Sequence, residues 1–263
     1  MADAQSEDAG FRLIRRQLPV RRPLPQGAFL RTLPESMAQL ILFNKPYGVV
    51  CQFSPPGSGR GLRPDGADSG NADGTAARTL RDYLPQRDIY PAGRLDADSE
   101  GLVVLTADGA LQHHIADPSH KLPKTYYVEV EGVPTAAALH KMRSGIDLGD
   151  FRTLPAQARI VAPPDWLWPR VPPVRFRKRI PTAWLEITLK EGKNRQVRRM
   201  TAAAGFPTLR LIRHRIGEWT IAGLNPGEWR ALSVNLPNAG RPGSGERGKR
   251  KQSPKSTANR PRR

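Results

Sequence analysis

The two ends of this chain are too basic and too proline-rich to enter a core, and they confine any compact domain to residues 39–236. Over residues 1–38, Arg12, Arg15, Arg16, Arg21, Arg22 and Arg31 are interspersed with Pro19, Pro23, Pro25 and Pro34. Proline removes a backbone donor and clashes with the preceding helical turn, and the charges resist burial, so this stretch predicts a flexible basic arm. Residues 237–263 hold nine Lys or Arg against the single acid Glu246, which predicts a disordered cationic tail.

Between the ends the chain reads as many short strands with helices interspersed. ILFNKP (41–46) and YGVVCQF (47–53) are strand-forming, with a bend at Pro46 and Gly48. The Gly-, Pro- and Asp-rich span Pro55–Gly74 is a surface excursion, and Thr75–Leu84 has helical spacing stopped by Pro85. Ile89–Gly93 is short and extended, GLVVLT (101–106) is a buried-type strand, and Asp108–Ala116 is a helix with an acidic cap. KTYYVEVE (124–131) alternates with the period of a half-buried strand, and Thr135–Ser144 is a capped helix ended by Gly145. Ala162–Pro181, with Trp166, Trp168 and several prolines, predicts an ordered loop, because its indoles need a surface to pack on. WLEITL (184–189), a helix from about Asn194 to Ala204 ended by Gly205, TLRLIRHRI (208–216) and GEWRALS (227–233) complete the domain. This order predicts an α+β fold, not a regular βαβ series.

Composition narrows the partner. Forty-two Lys plus Arg against twenty-four Asp plus Glu give a formal charge of +18, a surplus that nucleic acid would screen. The lone Cys51, read as a strand residue, excludes an internal disulfide or a multi-cysteine zinc site and fits a reducing compartment. His113, His114, His120, His140 and His214 lack metal-binding spacing, so no metal is expected. No apolar run is long enough to span a bilayer and no signal-peptide region opens the chain, which together predict a soluble cytoplasmic protein without membrane contact.

Two local patterns can carry chemistry. In GRLDADSEGLVVLT (93–106), Arg94, Asp96, Asp98 and Glu100 are packed into a loop against a rigid strand. Such a carboxylate can act as a nucleophile, or the loop can be an acidic turn that Arg94 stabilises. In LKEGKNRQVRRM (189–200), Lys193, Arg195, Arg198 and Arg199 cluster at a helix start, with Arg195 and Arg199 on one face. Alone this reads equally as a solvated basic helix. Yet Trp166–Arg199 holds ten Lys or Arg and two Glu, a surface able to neutralise phosphates while indoles stack on bases. Of the neighbours Tyr126 and Tyr127, only one can face a given cleft, and core filling explains either.

Taken together, ILFNKPYGV (41–49), AGRLDADSEGLVVLT (92–106), KTYYVEVEG (124–132), EGKNRQVRRM (191–200) and GFPTLRLIRHRIG (205–217) carry a specific likeness. The chain resembles the pseudouridine synthase family that modifies ribosomal RNA, in its small-subunit-synthase-like branch, over about residues 40–235. The resemblance implies an extended, mixed but mainly antiparallel sheet flanked by helices and loops, with a central RNA-binding cleft. The helical RNA-binding module that usually precedes the catalytic domain has no room in the forty residues before ILFNKP.

The resemblance further implies Asp96 as catalytic nucleophile, Tyr126 as active-site tyrosine and Arg198 as basic partner keeping Asp96 ionised. Arg94 holds the nucleotide or loop, and Lys45, Lys193 and Arg195 make cleft or phosphate contacts. The implied reaction converts a uridine to pseudouridine in a hairpin of 23S ribosomal RNA, free or in an assembling large subunit, by a monomer without cofactor. Segment 163–185 resembles an insertion distinctive of that specificity. The alternatives are a sister enzyme acting on another ribosomal or transfer RNA uridine, a non-catalytic RNA-binding assembly protein, and a metal-dependent RNA nuclease.

Overall fold

A computed structural model of the chain describes residues 37–54, 78–86, 88–117, 122–174 and 179–235. The basic tail, the Pro55–Gly74 excursion and all but Met37 and Ala38 of the basic arm lie outside the described residues.

Among the described residues nine strands form one sheet: β1 (Met37–Lys45), β2 (Tyr90–Pro91), β3 (Glu100–Thr106), β4 (Lys124–Glu131), β5 (Gln157–Val161), β6 (Thr182–Leu189), β7 (Thr208–Ile216), β8 (Trp219–Thr220) and β9 (Trp229–Asn235). Helices α1 (Gly109–Ala116), α2 (Ala136–Ser144) and α3 (Gln196–Ala203) pack on it. The strand order is β5-β6-β4-β7-β3-β1-β9, with β2 paired to β3 and β8 to β7. Every pairing is antiparallel except β3 with β7. The sheet is therefore mixed and mainly antiparallel, in an α+β fold.

The parallel joint is short. Only Glu100↔Ile212 and Gly101↔Arg213 are in register, and these two pairs join the β5-β6-β4-β7 half to the β3-β1-β9 half. Close approach there requires glycine: Gly101 has φ +104°, and a Cβ would fall 2.3 Å from the Arg213 carbonyl oxygen.

Alternation in β4 divides the core. Tyr126, Val128 and Val130 pack with Leu185 and Ile187 of β6 against Leu139 and Met142 of α2 and Val197 and Met200 of α3. On the opposite face, Leu102 and Val104 of β3 and Ile212 of β7 meet Leu111 and Ile115 of α1. The helix caps match the sequence: Asp108 accepts from Leu111 N at 2.7 Å, Thr135 accepts from Ala138 N at 3.2 Å, and Gly145 takes φ 89°.

Two local expectations need correction, and one strand carried no sequence signal. YGVVCQF forms no strand beyond an isolated bridge, Val50↔Thr79; Gly48 turns the chain at φ 77°, and Val49 and Cys51 are buried as a packed loop. Of the helix expected over Thr75–Leu84, the described residues form only a 3-10 turn, Leu80–Asp82, because Thr79 is drawn into that bridge. Strand β5 was not foreseen, since only Ala158 among its residues is buried and pairing with β6 supplies its order.

The 162–181 loop is ordered where it is described, with residues 175–178 outside. Trp166 stacks on His214 at 5.0 Å between centroids and meets Tyr127 edge-on at 5.1 Å. No helix among the described residues is long and apolar enough to cross a membrane.

Candidate active site

The loop carrying Asp96 runs into β3 at the parallel joint, and its backbone is held from three directions. From the turn after β1, Gly48 N–H donates to Ala97 O at 2.8 Å, and Lys45 Nζ lies 3.5 Å from the same oxygen. From β7, Arg213 Nη1 donates to Arg94 O at 3.2 Å and its Nε to Leu102 O at 2.7 Å. From α3, Arg198 Nη2 donates to Asp98 O at 2.7 Å. Within the loop, Ser99 N–H closes a turn on Asp96 O at 3.1 Å. These ties fix the main chain from which the Asp96 side chain projects.

That carboxylate is 43% exposed, and its guanidinium neighbour is Arg195, with Nη1 3.3 Å from Asp96 Oδ2. Arg195 also binds Asp98 through Nη2 at 2.8 Å. Arg198, expected to keep Asp96 ionised, makes its ion pair with Asp98, Nε to Oδ2 at 3.5 Å, and its guanidinium also feels the Asp96 charge. Helical spacing did not place Arg195, because it precedes the helix in a left-handed conformation, φ 49°, where helical-face geometry does not apply. Arg199, expected to share the Arg195 face, turns away to Asp150 and to Leu148 O.

The charges settle unequally. Burial works against the ionised Asp98, but the Arg195 hydrogen bond and the Arg198 and Arg195 charges overcome it and hold its carboxyl below the usual value. Burial lowers the Arg198 guanidinium, with Asp98 opposing, and the Asp98 hydrogen bond raises Arg195. Asp98 thus absorbs much of the local positive charge, leaving Asp96 as the more open of the two carboxylates.

Tyr126 stands in register with Arg213, on the face of β4 that packs α3, and is buried. Its strand neighbour is thus the arginine that props the Asp96 loop. Tyr127 points the other way and donates to Glu186 Oε2 at 3.0 Å. Arg94 is exposed, and the exposed Lys193 places Nζ 4.7 Å from the Phe151 ring centroid.

Lys45 corrects the expectation of a cleft or phosphate contact. It is wholly buried, and Nζ donates to Pro46 O at 2.9 Å and Val49 O at 2.8 Å, which consumes it as an internal anchor. Burial draws its ammonium from 10.5 down to about 8, against opposing attraction from Cys51 and Glu100. A depressed folded value means that the unfolded chain holds more protons between about 8 and 10.5, so this side chain's contribution to stability grows as pH rises through that window. Urea unfolding across the window is expected to show the parent gaining on Lys45→Met with rising pH. A constant gap would refute the assignment.

Residues that sequence reasoning passed over include Asp98 as the charge absorber and Arg213 as the loop prop. Glu100 and Arg210 form a buried bidentate pair, Nε to Oε1 at 2.8 Å and Nη2 to Oε2 at 2.9 Å. The alternation of TLRLIRHRI offered a signal, because it turns Arg213 toward the core. Among the described residues no three His, Cys, Asp or Glu side chains converge as a metal site.

Residues 39–203 match the family described as RNA pseudouridylate synthase. A ribosomal large subunit pseudouridine synthase E from Vibrio vulnificus (strain CMCP6) is 50% identical over 204 residues, covering 78% of this chain and 79% of that protein. The protein of the same name from Xanthomonas axonopodis pv. citri (strain 306) is 54% identical over 187 residues, covering 71% of this chain and 90% of that protein. A crystal structure of a pseudouridylate synthase is similar at TM-score 0.56 and 28% identity, covering 74% of this chain and 70% of the other. Motif order, sheet and relatives together show that the chain belongs to the RNA pseudouridylate synthase family and is an RNA isomerase.

Proposed function

We propose that this protein converts one uridine of 23S ribosomal RNA, in a large-subunit hairpin, to pseudouridine, with Asp96 as the reacting carboxylate. The observation that carries the reading is the half-open Asp96 side chain on a loop whose carbonyls are tied to the β1 turn, β7 and α3. The relatives named for large-subunit pseudouridine synthesis support the choice of substrate.

The isomerisation breaks the N1–C1′ bond, turns the uracil and joins C5 to C1′, while the C5 hydrogen is lost as a proton and N1 gains one. Atoms balance without redox or an energy donor. Asp96 attacks or electrostatically steers the sugar or C6 of the base, and Arg195 keeps a positive charge beside it. Arg198 acts through Asp98 and the loop backbone. Tyr126 supplies a ring for the base and a hydroxyl for the C5 proton. Reaching C1′ requires an extruded nucleotide, and exposed Arg94 and Lys193 suit its flanking phosphates. The protein acts in the cytoplasm as a monomer, on free 23S RNA or an assembling subunit.

Chemical mapping of pseudouridine in ribosomal RNA from cells with and without this protein tests the reading. One large-subunit position is expected to lose its signal on deletion and regain it on complementation. Loss at a small-subunit or transfer RNA position would redirect the substrate, and an unaltered map would end the proposal.

A further inference from the structure

Two residues of the 162–181 loop reach the Asp96 loop at different points. Trp168 donates Nε1–H to Glu100 Oε2 at 2.7 Å. Glu100 follows Ser99 and opens β3, so the indole holds the outgoing end of the Asp96 loop. Arg170 lies with its guanidinium carbon 4.3 Å from the Tyr47 ring centroid. Its Nε and Nη2 turn back to Pro172 O at 2.8 Å and Pro173 O at 3.0 Å, which fixes the plane of the stacked group. Tyr47 precedes Gly48, whose N–H donates to Ala97 O beside Asp96, so Arg170 bears on the middle of the same loop. The chemistry assigned to Asp96, Tyr126 and Arg198 uses neither Trp168 nor Arg170.

We propose that Trp168 and Arg170 are positioning residues: they clasp the Asp96 loop at Glu100 and at the Tyr47–Gly48 turn, and through it set the placement of the Asp96 carboxylate. The inference rests on Asp96 being the reacting group. It makes the described part of the 162–181 loop a contributor to the catalytic geometry. Small displacements of a reacting group change rates steeply, while binding by a broad cationic surface changes little.

The test is single-turnover pseudouridine formation on ribosomal RNA at saturating enzyme, with RNA Kd and melting temperature measured on each full-length protein. Trp168→Phe keeps the ring and removes the donor; Arg170→Ala removes the stack; Arg170→Lys keeps the charge without the planar guanidinium. Each is expected to slow the saturated rate about tenfold while Kd stays within about threefold. The double variant Trp168→Phe with Arg170→Ala is expected to be no slower than the slower single, because both act through one loop. Full rate in Arg170→Lys, or loss confined to Kd, would make these residues RNA contacts and overturn the clasp, as would unchanged rates in Trp168→Phe and Arg170→Ala. Should Trp168→Phe lower the melting temperature, the Arg170 variants decide, since that side chain is partly exposed. A parent protein that forms no pseudouridine sinks the reading of Asp96 itself, and the clasp with it, so the two failures are distinct.

Discussion

Asp96→Asn abolishes pseudouridine formation and leaves RNA affinity within a few-fold of the parent. The expected fall in single-turnover rate is about 10⁴-fold or more, the scale seen when a reacting side chain is removed from an otherwise intact site. The substitution is nearly isosteric and changes only charge and nucleophilicity. The loop keeps its ties, because these run through Arg94 O, Ala97 O and Asp98 O and not through the Asp96 carboxylate. Arg195 keeps its contact with Asp98. Binding is therefore preserved while chemistry is lost. Release of tritium from C5-labelled uridine in ribosomal RNA measures the rate, and filter binding measures the affinity. A variant that retains a tenth of the parent rate would remove Asp96 from the mechanism.

Much of this site was legible because its motifs are local. The GRLD loop is bounded by glycines and followed by a strongly apolar run, LVVL, and KTYYVEVE alternates cleanly, so Asp96 and Tyr126 could be placed on a loop and a strand from pattern alone. The caps Asp108 and Thr135 marked α1 and α2 for the same reason. What the pattern could not contain was pairing at a distance. Asp98 meets Arg195 across 97 positions of sequence, and no spacing rule selects that partner over Arg198. YGVVCQF misled because apolar residues signal burial before they signal a strand: Cys51 is buried with Ile41, Phe43 and Leu80 while its backbone stays irregular. Lys45 misled in the opposite sense. A lysine beside a turn ordinarily reaches solvent, and only the folded carbonyls of Pro46, Val49 and Ala97 give it a reason to stay inside.

The same long-range logic makes the joint between the two halves of the sheet depend on side chains, and Glu100→Leu is expected to cost about 3–5 kcal/mol of stability. Two registered pairs are too few to hold β3 to β7 by backbone alone, and side chains reinforce them. Glu100 and Arg210 are 2% and 5% exposed and share two short hydrogen bonds, so removing the carboxylate strands a guanidinium away from water. Trp168 also loses its acceptor, but the partly exposed indole can turn its N–H to water at about 1 kcal/mol. A domain of this kind holds about 5–15 kcal/mol in all, so the single variant stands near unfolding. Arg210→Met is expected to cost a similar amount, since it strips the buried carboxylate of its guanidinium partner and leaves it the Trp168 donor. Combined with Glu100→Leu it should recover most of the loss, because an apolar pair needs no desolvation of charge. Guanidinium midpoints for the parent, both singles and the double give the coupling directly. If the two single losses simply add, the pair does not hold the joint, and the position of the Asp96 loop must depend on its ties to the β1 turn, Arg213 and α3.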